Sequence, residues 1–88
     1  MHEFSLLKDL LGKIKAIAEE NASEKVIGVK VKLGALAHIS PEHFREHFNH
    51  AVVGTLAEDA KLEIETLTDM SDPHAQEIIL DSVELAEK

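Results

Sequence analysis

Eighty-eight residues without a cysteine make one domain that can hold neither a disulfide nor a thiolate zinc site. A chain of this size buries about 60 to 65% of its unfolded surface, so stability is expected to be modest and a partner or weak homodimer to help; a monomer or weak homodimer is expected. Nine basic against seventeen acidic side chains give a net charge of −8, which argues against nucleic acid and anionic membrane surfaces, since both require a basic footprint. The amino terminus lacks a basic segment followed by an apolar run, and no stretch of about 18 apolar residues occurs. A soluble cytoplasmic protein is the expectation.

The chain opens Met1-His2-Glu3-Phe4-Ser5. Met1 is expected to stay, because its removal requires a small second residue. An amine, the amide nitrogens of His2 and Glu3 and the His2 imidazole are then covalently adjacent. Together they suit the planar nitrogen ligation that Cu(II) and Ni(II) prefer. Leu6, Leu7, Leu10, Leu11, Ile14, Ile17 and Ala18 recur at helical steps, with Lys8, Asp9, Lys13, Glu19 and Glu20 opposite. Ser5 has the chemistry of an N-cap, which would leave residues 1 to 4 as a short extended arm.

Asn21-Ala22-Ser23 reads as a turn. Ile27, Val29, Val31 and Leu33 then alternate with Gly28, Lys30 and Lys32 as a half-buried strand ended by Gly34. After the loop Ala35 to Ile39, Ser40-Pro41 marks an N-cap and first helical position. The second helix places Phe44, Phe48, Ala51 and Val52 on one face and is expected to stop at Gly54. Thr55 to Glu58 has capping-box spacing, for one helical turn or a compact loop. A second strand follows at Lys61 to Leu67, then a polar, proline-containing connection over residues 68–76. A third strand, Gln76 to Leu85, switches the phase of its apolar residues, which predicts a bulge near Asp81-Ser82. The order α-β-α-β-β predicts an α+β fold with two helices packed on one face of a three-stranded sheet. Lys30, Lys32, Glu63 and Glu65 fall on its outer face.

Histidine is the main chemistry-bearing residue type besides the terminal arm. His43, His47 and His50 lie at i, i+4 and i+7 on the second helix and form a stripe in which two imidazoles can share a metal ion. His38 and His74 lie singly in loops. There is no Ser-His-Asp or Gly-x-Ser-x-Gly arrangement, no phosphate-cradling glycine loop and no His-Glu-x-x-His signature, so catalysis is not expected.

The Met1-His2-Glu3-x-Ser5 opening is followed in order by Val29 to Leu36, Pro41-Glu42-x-Phe44, Phe48 and the run Gly54 to Ile64. This set resembles the HypA family of nickel metallochaperones, which serve [NiFe]-hydrogenase and urease maturation. The resemblance implies a single nickel-binding domain over residues 1–88 that holds Ni(II) through His2, with Met1 and Glu3 contributing main-chain atoms. It also implies a HypB-like GTPase and a hydrogenase large subunit as partners. Family members carry a zinc module with two Cys-x-x-Cys pairs between the last two strands of this domain. Here the short connection 68–76 stands in its place, on this view a hairpin that replaces the module without disturbing the core, and no zinc site is expected. The alternative is a divergent or truncated relative that acts as a protein-interaction module without metal delivery.

Overall fold

The computed structural model describes residues 2–37 and 39–86, with side chains from residue 7 onward. Its elements are α1 (His2–Glu20), β1 (Val26–Leu33), α2 (Pro41–Ala51), β2 (Lys61–Thr66) and β3 (Ile78–Leu85). The fold is α+β in the expected order. The strands lie in the order β2-β1-β3, with β1 parallel to β2 and antiparallel to β3. Parallel pairing requires a crossover, which α2 supplies. α1 lies over β3 and α2 over β2.

The apolar spacing in α1 delivers Leu7, Leu10, Ile14 and Ala18 to the core, where they meet Val29, Val31 and Leu33 of β1 and Phe44 and Phe48 of α2. Phe44 and Phe48 are 1% and 0% exposed, so these two rings anchor α2. At its C-terminal end α1 closes with the Ser23 N–H donating to the Ala18 carbonyl at 2.9 Å and the Ala22 N–H to that of Glu19 at 3.1 Å. This is the Schellman pattern, and it places Ala22 in the left-handed region at φ 51°. Ser40 caps α2 as its sequence implied, accepting from the His43 N–H at 3.2 Å. The helix ends at Ala51 rather than Gly54. Three residues later Gly54, at φ 80°, provides the left-handed turn. Thr55 to Glu58 forms a compact loop, in which the Glu58 carboxylate accepts from the Gly54 N–H and the Thr55 hydroxyl oxygen accepts from the Ala57 N–H.

Two bulges set the side-chain phase of the sheet. Val26 pairs with Leu85 and Gly28 with Glu84, so Ile27 is the extra residue. The alternation breaks there, and Val26 at 0% exposure takes the core position expected for Ile27, which is 39% exposed. Lys30 pairs with Ser82 and Val31 with Leu80, which leaves Asp81 as the extra residue of β3. That is the bulge implied by the phase switch. It puts the Asp81 carboxylate 3.5 Å from Lys32 and 3.9 Å from Lys30, which also pairs with Glu65 across β2. The outer face is thus a surface ion-pair network, and such pairs contribute about 0 to 1 kcal/mol each.

The connection between β2 and β3 is not a hairpin, because β1 lies between them. It crosses instead over the carboxyl end of β1. The Leu67 N–H donates to Leu33, the Gly34 N–H to Glu77 and the Leu36 N–H to Ala75, at 2.8, 2.9 and 2.7 Å. Within this connection Ala75 is buried, 4% exposed.

Candidate metal centre

α1 begins at His2, so His2 and Glu3 belong to its first turn and not to an extended arm, and Ser5 lies inside the helix instead of capping it. The first N–H groups of any helix lack an intrahelical acceptor, and water can serve them in place of a capping side chain. For the same reason the amide nitrogens of His2 and Glu3 have no intrahelical acceptor to give up. Planar ligation through consecutive main-chain nitrogens would require these residues to leave helical backbone geometry, a change confined to the first turn. Met1 and the side chains of His2 and Glu3 lie outside the described residues, as does His38.

The helix stripe is partly assembled. His43 and His47 stack with ring centroids 5.3 Å apart and 14° between ring planes, while His50 lies exposed in the last turn of α2. Among the described residues, no group of three or more His, Asp or Glu side chains is disposed to hold a metal ion. The stripe therefore falls short of a three-ligand site.

His74 makes a different connection. Its Nδ1 lies 2.5 Å from the Glu77 carboxylate, and that hydrogen bond, reinforced by the carboxylate charge, raises the imidazole above its ordinary value of 6.5. In the sequence His74 stands alone in its loop. Its spacing of three from Glu77, after Asp72-Pro73, was the available signal for a turn that would join them. The Asp72 carboxylate fixes that turn by accepting from the His74 N–H at 2.8 Å. An open groove of about 450 Å³ between α1 and β3 is lined by Ile17, Ile78 and Leu80 together with this His74–Glu77 pair.

Residues 1–71 match the family described as hydrogenase/urease nickel incorporation metallochaperone, HypA. The chain belongs to the HypA family. Hydrogenase maturation factor HypA of Archaeoglobus fulgidus is 41% identical over 64 residues, 73% of this chain and 58% of that protein. HypA of Aquifex aeolicus is 42% identical over 69 residues, 76% of this chain and 60% of that one. The chain thus spans a little under two thirds of these HypA relatives. The solution structure of the Ni metallochaperone HypA from Helicobacter pylori has the same fold, with a TM-score of 0.81 at 19% identity, covering 98% of each chain. The family match ends inside the β2–β3 connection, whereas the HypA fold likeness includes β3. No helix among the described residues is long and apolar enough to cross a membrane.

Proposed function

We propose that the chain is a nickel-binding metallochaperone domain that helps insert Ni(II) into a [NiFe]-hydrogenase or urease during maturation. The ion is its cargo, and the domain catalyses no reaction. The observation that carries this reading is the family match over residues 1–71, which includes Met1-His2-Glu3. The His2 imidazole and the main-chain nitrogens at Met1, His2 and Glu3 would hold nickel, supported by the open amides of the first turn of α1. A HypB-like GTPase and the hydrogenase large subunit are the partners this role calls for, in the cytoplasm. This chain has no cysteine with which to build the family's zinc module, so Ni(II) is the metal proposed for the amino terminus and a thiolate zinc site is not.

A second reading, an interaction module without metal delivery, draws support from the length difference: the A. fulgidus relative is matched over 58% of its length. One experiment separates the two. Untagged protein with its native Met1 is titrated with Ni(II) by calorimetry and visible absorption, beside His2→Ala and a variant extended at the amino terminus. Planar-nickel absorption at one equivalent, lost in both variants, supports metal handling. Absence of that absorption from the native chain supports the interaction module.

A further inference from the structure

We propose that His43 and His47 form a second, two-ligand docking site for a divalent cation of the Ni(II), Cu(II) or Zn(II) class, separate from the amino-terminal nitrogens and beyond the role proposed above. The two imidazoles project from adjacent turns of one helix and already stack, centroids 5.3 Å apart and planes 14° from parallel. Positions four apart carry Cβ atoms about 5 to 6 Å apart. Imidazoles so spaced can each offer a nitrogen to a shared ion at about 2.0 to 2.1 Å, the usual length of a metal–histidine bond.

The backbone bearing them is already rigid. Phe44 and Phe48, each following one of the histidines, are buried at 1% and 0% exposure and fix the rotation of α2 about its axis. Ser40 caps the helix through the His43 N–H at 3.2 Å, and Arg45 donates to the Leu62 carbonyl at 3.0 Å, tying the same helix to β2. Chelation therefore requires no rearrangement of the α2 main chain, which keeps its ordering cost low. His43 is exposed and His47 half-buried, so an ion can reach the pair from solvent. Glu42 and Glu46 run beside them on α2, and the chain's net charge of −8 draws cations toward the surface.

Imidazole nitrogen selects borderline divalent ions over Mg(II) and Ca(II), which take oxygen. With only two protein ligands, water fills the remaining positions and the ion exchanges readily. Such a site would collect or pass on an ion and would not store it.

The test uses the full untagged chain in the His2→Ala background, titrated separately with Ni(II) and Zn(II) chloride. Binding is followed by calorimetry, and the Zn(II) arm also by histidine side-chain NMR. The expected result is one bound equivalent, with the His43 and His47 ring signals shifting together before those of the other histidines. The midpoint of thermal unfolding should rise with metal, since a chelate across one helical turn forms only on folded protein. Adding His43→Ala or His47→Ala should abolish both the bound equivalent and the thermal shift. Metal-free melting confirms that these surface variants fold. Three results overturn the proposal: no binding in the His2→Ala chain, shifts centred on His38, His50 or His74, or binding retained in the double variants. Failure of the amino-terminal site shows elsewhere, as identical titrations of the native and His2→Ala chains.

Discussion

The carbonyl oxygen of Ala75 lies 2.2 Å from the point where a Cβ would stand on Gly34, so the connection from β2 to β3 rests directly on the backbone at the end of β1. Glycine is required there for close approach, not for a left-handed turn. Gly34→Ala must push the connection away and disturb the hydrogen bonds from Gly34 to Glu77 and from Leu36 to Ala75. Overpacking of this kind costs about 1 to 3 kcal/mol. Urea unfolding should show a lower midpoint at an unchanged slope.

Ala22 sits at φ 51° in the closing motif of α1, and a residue with a Cβ pays about 1 to 2 kcal/mol there. Ala22→Gly relieves that strain but loosens the unfolded chain, so a net gain of about 0.5 to 1 kcal/mol is expected. A thermal melt of the two proteins side by side checks the sign.

Arg45 ties α2 to β2, its guanidinium donating to the Leu62 carbonyl at 3.0 Å. Arg45→Met retains the apolar stem and removes the donor, for an expected loss of about 1 kcal/mol. Phe48→Ala, at a fully buried position of the same helix, should cost about 3 to 5 kcal/mol. If the two variants proved equally destabilising by chemical denaturation, the ranking of packing above this hydrogen bond would be wrong.

The hydrogen bond to Glu77 and that carboxylate's charge raise His74 above 6.5 in the folded protein. A raised histidine favours the folded state below its unfolded value near 6.5, and the contribution disappears as pH climbs through the folded value. Side-chain NMR should find the His74 midpoint above 6.5, and Glu77→Gln should bring it down. An unchanged midpoint in that variant would mean that Glu77 does not set it.

Much of the architecture was legible because it is written in local periodicity. The helical steps of Leu7, Leu10, Ile14 and Ala18, the Ser40-Pro41 start of α2 and the alternation of Val29, Val31 and Leu33 each depend on residues a few positions apart. The His43–His47 pairing is of this kind, since spacing of four on a helix brings side chains together whatever surrounds it. The misplacements were local too, but arose where a neighbour decided the outcome. Ile27 yielded its core position to Val26 because the partner strand imposed a bulge, and α1 ran through Ser5 because a serine hydroxyl is not required where water can serve the first N–H groups.

The order of elements, their core faces and the adjacency of the terminal nitrogens follow from the chain's own spacing. Tertiary structure alone decided that β1 lies at the centre of the sheet, that the connection 68–76 bridges it above Gly34, and that Asp81 meets both Lys30 and Lys32. The physical reason is range. Helical and strand periodicities are fixed by backbone geometry within a turn or two, whereas strand order and register depend on contacts between segments tens of residues apart, whose energies no short stretch of sequence contains.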